Sequence, residues 1–217
     1  MAKSNWGITS GFIGKLGNVV GYNWKGKNIQ RALVKGADSR SEKQLYSRTK
    51  FGQLGKLSSL LYDAIYEGYR REANENKSTQ SGLFIKYNQS AISGTSRDAL
   101  TINYEALKLS SDKIQGVTCF EPTLEGNKLT VGYQNNAPLN RRCTLTDRVY
   151  ICVFTADMNA AICQCVGTRA DDEGELTIPI NCMGDEMHVY CFVIGASSTN
   201  DGMASATEYV GKVSCAD

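Results

Sequence analysis

The sequence predicts an α+β protein: an N-terminal β-hairpin arm and two helices, followed by an antiparallel β-sandwich. Three observations carry this expectation. Residues 1–38 are rich in glycine and lack an apolar helical face. Apolar side chains recur at helical spacing through the next sixty or so positions. From Leu100 onward the period changes to two, with turn residues between short apolar runs. The expected organisation is an arm over 1–38, a helical segment over 39–99 and a sandwich over 100–217.

The arm comes first. In "GITSGFIGKLGNVVGYNWKGKNIQR", Gly7, Gly11, Gly14, Gly17 and Gly21 recur every three or four residues and imitate a helix face. Each glycine costs about 1 kcal/mol against alanine inside a helix, so this density excludes one. An extended arm leading into a hairpin is expected instead. "NVVGYNW" and "NIQRALV" flank "KGK", where Gly26 supplies the positive φ of a tight turn.

The helices follow. "SRSE" over Ser39 to Glu42 reads as a capping box, and Leu45, Leu54, Leu57, Leu61 and Ile65 then form an apolar stripe joined by Phe51 and Tyr69. A long helix is expected from about Ser41 to Arg71, bent near Gly52 and Gly55. After "NENKSTQS", a second helix is expected over "GLFIKYNQSAI", Gly82 to Ile92.

Strands are expected near 101–109, 116–121, 128–134, 148–155, 161–168, 175–180, 187–195 and 205–213, separated by turn segments such as "EGN", "DDEGE" and "SSTNDG". This spacing points to an antiparallel sandwich, and the lack of βαβ alternation argues against a parallel sheet.

Composition narrows the function. Hydrophobic residues at 41% and charged residues at 21% describe a folded chain rather than a disordered one. No run approaches the ~18 apolar residues of a membrane helix, so no membrane partner is expected. The start "MAKSNWGITSGF" lacks the apolar core of a secretory signal, so synthesis in the cytoplasm is expected. The eight cysteines, at 119, 143, 152, 163, 165, 182, 191 and 215, fall mostly within apolar strands and read as small buried hydrophobes rather than disulfides. The net charge of +2 conceals an asymmetry: residues 1–56 hold eleven Lys and Arg against Asp38 and Glu42, a net +9, and the remainder carries −7. Such polarity favours docking onto something acidic.

Candidate chemistry is thin. "GFIGKLGN" contains Gly14 and Lys15 but lacks the spacer and hydroxyl residue of a phosphate-binding loop. His188, the single histidine, sits mid-strand between Met187 and Val189, a structural setting rather than a catalytic one. Cys163 and Cys165 lack the second pair that marks a zinc site, and the acidic run 171–175 fits a solvated turn better than a calcium loop. No catalytic residue, metal ligand or cofactor is expected, and the chain is read as a non-enzyme. The binding candidates are Tyr22, Trp24, Lys25, Lys27, Arg31 and Lys35, because aromatics and Arg dominate protein interfaces, while a basic stripe with aromatics also neutralises and stacks on nucleic acid.

Two resemblances extend this. "LTIPINCMGDEMHVYCFVIGAS" resembles the penultimate strands of an immunoglobulin or fibronectin type III sandwich. Cys191 then falls on the penultimate strand, but "KLTVGYQ", where an immunoglobulin domain carries the partner cysteine, has none. Over nearly its whole length the chain also resembles an uncharacterised family of about two hundred residues from anaerobic gut bacteria and their phages. The most specific parts are Gly14 to Gly26 and Asp185 to Tyr190. The family brings no catalytic residues. It implies a role in a particle or other assembly. With the charge asymmetry, the expected function is a structural or interaction protein associated with a virion, whose basic arm docks onto other protein subunits, as a homo-oligomer or part of a larger particle, and whose sandwich is displayed. A nucleic-acid-binding accessory protein using the same arm is the alternative.

Overall fold

The computed structural model describes residues 3–4, 12–34, 41–94, 96 and 98–214. The chain divides into two compact units, Met1–Ser41 and Glu42–Asp217.

The N-terminal unit is a four-stranded antiparallel sheet in sequential order: β1 (Lys3–Ser4), β2 (Phe12–Leu16), β3 (Val19–Trp24) and β4 (Lys27–Ala32). Two-residue turns join the last three strands. At Lys25-Gly26 both φ angles are positive, 48° and 80°, the twist a tight hairpin requires. The Asn23 side chain accepts from the Gly26 amide at 3.0 Å and donates to Asn28 at 3.1 Å, which pins that turn. The arm is therefore a β-meander rather than an extended lead into a single hairpin. Gly21 makes this possible, because a Cβ there would lie 2.0 Å from the Phe12 carbonyl oxygen.

In the C-terminal unit, α1 (Glu42–Leu60), α2 (Tyr62–Glu75) and α3 (Gln80–Tyr87) precede a pair of short strands, β5 (Ile92–Gly94) and β6 (Leu100–Ile102). The sandwich follows: β7 (Thr118–Cys119), β8 (Thr123–Glu125), β9 (Lys128–Gln134), β10 (Arg148–Thr155), β11 (Ala161–Thr168), β12 (Glu173–Thr177), β13 (Met187–Ile194) and β14 (Glu208–Val213). One sheet runs β11-β10-β13-β14, the other β12-β9-β7 with β8 beside β9. With β7 and β8 lying end to end along one edge of β9, this is an open antiparallel sandwich in the three-on-four arrangement of the fibronectin III-like class.

The β11-β10-β13-β14 sheet is the central layer. Tyr150, Cys152 and Phe154 of β10 and Tyr190, Phe192 and Ile194 of β13 face the helices, packing with Leu57, Leu61, Ile65, Tyr69 and Phe84. The alternate residues face the second sheet, Ile151, Val153 and Val189 packing with Leu129, Val131 and Leu176. With both faces covered, every residue of β13 is buried, which explains its unbroken apolar run. Thr79 caps α3 by accepting from the Gly82 amide at 3.1 Å.

Several expected elements need correction. The first long helix bends at Leu61, where φ is −90° and ψ is 21°, and not at Gly52 or Gly55. A Cβ at either glycine would meet nothing within 4 Å, so neither marks a close approach. Leu61 is instead anchored in the core, and hydrogen bonds from Leu61 N–H to Leu57 and from Ile65 N–H to Leu61 carry the chain through the bend. Ser39 of the expected capping box lies outside the described residues. The helix expected over 82–92 ends at Tyr87, giving way to a 3-10 turn and β5. The strand expected over 101–109 stops at Ile102. Beyond it, the buried Asn88 side chain donates to the Lys108 carbonyl at 2.8 Å and accepts from its amide at 2.7 Å, standing in for a neighbouring strand. The strand expected over 116–121 shrinks to β7, and Pro122 separates it from β8, a short strand outside the expected set.

Candidate functional site

Cross-strand partners in an antiparallel sheet share a face, and successive residues alternate. In the N-terminal sheet Val20 pairs with Arg31 and with Lys15, Tyr22 with Ile29, and Trp24 with Lys27. Tyr22, Trp24, Lys27 and Arg31 therefore lie on one face, and the register adds Lys15, Val20 and Ile29. Lys25 occupies the turn at the end of this face, its Nζ 5.8 Å from the Trp24 ring centroid, within cation–π range. Lys35 lies outside the described residues. Lys15 and Ile29 escape a reading by composition, and only the period of two combined with the hairpin register places them.

The face is open. Trp24 is 56% and Tyr22 38% exposed, Ile13 on the same face is exposed too, and so are Leu16 and Val19 on the opposite face. Among residues 12–34 Gly21 alone is buried. Between Phe12 and Val34 there are four basic residues and no carboxylate. A sheet of this kind presents aromatic and aliphatic surface with cations set around it, a surface suited to an acidic partner.

Acidic surface exists in the C-terminal unit. Glu173 and Glu175 of β12 pair with Gly132 and Thr130 of β9, and Glu125 of β8 pairs with Lys128, which puts all three carboxylates on the outer face of the second sheet. Lys128 Nζ lies 2.6 Å from Glu175. In the neighbouring turn, Asp171 accepts from the Thr168 amide at 2.7 Å and hydroxyl at 3.0 Å, and both bonds hold its carboxyl below the ordinary value. Among the described residues no cluster of three or more His, Cys, Asp or Glu is arranged to hold a metal ion.

His188 belongs to an aromatic cluster. Its ring stacks on Tyr104 at 4.0 Å, Nδ1 is 3.0 Å from the Tyr209 hydroxyl and Nε2 is 3.6 Å from Glu186. Burial pushes its pKa down, against the opposing pull of Glu186. The thiols are spread over several environments: Cys143, Cys152 and Cys191 are buried, Cys119, Cys163 and Cys182 half-buried and Cys165 exposed. Cys119 of β7 packs against Cys191, so the thiol facing the penultimate strand comes from the first strand of the sandwich, and "KLTVGYQ" is not involved.

The molecule is thus an α+β protein of the helix-backed, fibronectin III-like sandwich class, carrying an exposed aromatic and basic sheet. It belongs to a family of unknown function, DUF6266, which matches over residues 9–211 and so takes in the arm as well as the sandwich. No curated protein and no solved structure matches the chain. No helix among the described residues is long and apolar enough to cross a membrane.

Proposed function

We infer that the chain is a non-enzymatic structural and interaction protein, a component of a larger assembly that docks through the Tyr22, Trp24, Lys25, Lys27 and Arg31 face and displays its sandwich. A phage particle is the assembly that the family resemblance suggests. The observation that carries this reading is a sheet with apolar side chains exposed and almost nothing buried, a state that a partner's surface relieves. The partner presents carboxylates, and a second copy of this chain supplies them in the outer face of its second sheet. Size-exclusion chromatography with light scattering tests this on the full chain and on a chain lacking 1–38, at low and high salt. Salt-sensitive association that disappears with the arm supports the reading; a full chain that stays monomeric throughout defeats self-association.

One observation favours a second reading, in which the arm binds nucleic acid: two aromatic rings and three cations share one sheet face, the makings of a base-stacking platform. Binding of single-stranded DNA with a steep salt slope, abolished by removing the arm, would transfer the face to that role.

A further inference from the structure

Strands β10 and β11 bring two thiols together. Cys152 of β10 lies directly opposite Cys163 of β11. The kind of pair follows from the hydrogen bond at the turn end of the hairpin. Thr155 N–H donates to Ala160 at 3.0 Å, and the register runs unbroken from there past Cys152, the bulge between Val149 and Tyr150 lying beyond it, which places Thr155, Val153 and Ile151 at hydrogen-bonded positions. Cys152 and Cys163 therefore form a non-hydrogen-bonded pair, the class with the closest side chains and a Cα separation of about 4.5 Å. That separation lies inside the range a disulfide spans. The two thiols differ in access. Cys152 is fully buried, whereas Cys163 opens onto a pocket of about 650 Å³ that it lines with Tyr62, Asp63, Tyr66 and Glu67 of α2 and the exposed Cys165.

We propose that Cys163 and Cys152 form a thiol–disulfide exchange site, in which a small disulfide entering beside α2 is reduced and the edge strand β11 is stapled to β10. The Cys163 sulfur attacks the small disulfide R–S–S–R, giving the mixed disulfide Cys163–S–S–R and one R–SH, which carries away the Cys163 proton. The Cys152 sulfur then attacks the Cys163 sulfur, the protein disulfide forms, and the second R–SH leaves with the Cys152 proton. Two protein thiols are oxidised and one small disulfide is reduced to two thiols. The adjoining Cys163 sulfur, burial and the Asp63 carboxylate push the Cys152 thiol well above its ordinary value, so the second step is the slow one. The carboxylates of Asp63 and Glu67 favour a cationic reagent over an anionic one. This proposal is independent of what the arm binds.

The test treats the full native chain with cystamine at pH about 8.5, where thiolates are populated, then blocks free thiols and maps the protein by cleavage at Met158, which separates Cys152 from Cys163. Wild type should lose two of its eight thiols and yield a product joined across that cut. Cys165→Ser should keep the link and Cys163→Ser abolish it. Cys152→Ala should trap the cystamine adduct on Cys163. The wild-type map needs no variant to fold. A bond between Cys163 and Cys165, a bond between Cys119 and Cys191 in its place, or a lasting adduct on wild-type Cys163 would each overturn the proposal.

Discussion

Asp147→Asn should be among the most damaging single changes in the sandwich. Asp147 and Arg169 are wholly buried and 3.3 Å apart. The carboxylate also accepts from the Thr144 amide at 2.9 Å and hydroxyl at 2.7 Å, from Asn200 Nδ2 at 2.9 Å and from the Ala196 amide at 3.3 Å. Every neighbour is a donor, so an asparagine NH₂ in either orientation faces another donor, and the guanidinium loses its counter-charge. Arg169 keeps its bonds to the Gly116 and Gln115 carbonyls at 3.0 and 2.7 Å and so cannot withdraw to solvent. Removing one member of such a pair costs about 3–5 kcal/mol, a third or more of a typical domain's stability. In urea unfolding, at a slope of ~2 kcal/mol/M, the midpoint should fall by roughly 1.5–2.5 M with the slope unchanged. The double change Asp147→Asn with Arg169→Met should cost clearly less than the two single changes summed. A midpoint shift below about 0.5 M, or full additivity, would show that Asp147 is not needed to balance the buried Arg169 charge.

Acid should find the same site. Burial raises the Asp147 carboxyl, but the hydrogen bonds from Thr144, Asn200 and Ala196 outweigh it and hold the group below its ordinary value. Its contribution is therefore present at neutral pH and lost as pH falls below about 4, which urea midpoints at pH 6 and 3.5 should register as a loss much reduced in Asp147→Asn. His188 is depressed by burial, so the unfolded chain takes up its proton first. Stability should decline as pH falls through about 6.5, and His188→Phe should flatten that decline between pH 7.5 and 5.5. Gly68→Ala improves helix propensity by about 1 kcal/mol, yet its Cβ would sit 2.2 Å from the Leu109 carbonyl oxygen. Thermal unfolding should show net destabilisation of ~1–3 kcal/mol, because the clash is with backbone.

The elements legible in the sequence are those whose pattern is local. Strands β9, β10, β11 and β13 follow from period two or an unbroken apolar run, and the Lys25-Gly26 turn follows from its chemistry. The bend at Leu61 was illegible because tertiary packing sets it, while the nearby glycines offered a false local cause. Asn88 looks like an ordinary helix terminator, and nothing in its neighbours announces that its amide supplies the strand contacts of Lys108. The arm's aromatic and basic face was half legible: Tyr22, Trp24, Lys27 and Arg31 are conspicuous by type. That they share a face, and that Lys15 and Ile29 join them, depends on a register spanning two turns. The contacts of Cys152 with Cys163 and of Cys119 with Cys191 are likewise matters of strand pairing and layer packing, beyond the reach of cysteine spacing.

Trp24 is proposed to anchor the arm to another copy, and sedimentation equilibrium on wild type and Trp24→Ala tests this directly. Trp24 is exposed in the isolated chain and sits among Tyr22, Lys25 and Lys27, so its truncation should leave the unfolding midpoint unchanged while weakening association by about 2 kcal/mol or more, roughly thirtyfold. Added salt should weaken wild-type association further. Equal dissociation constants for the two proteins, or a wild type that never associates, would rule out Trp24 as an anchor between copies.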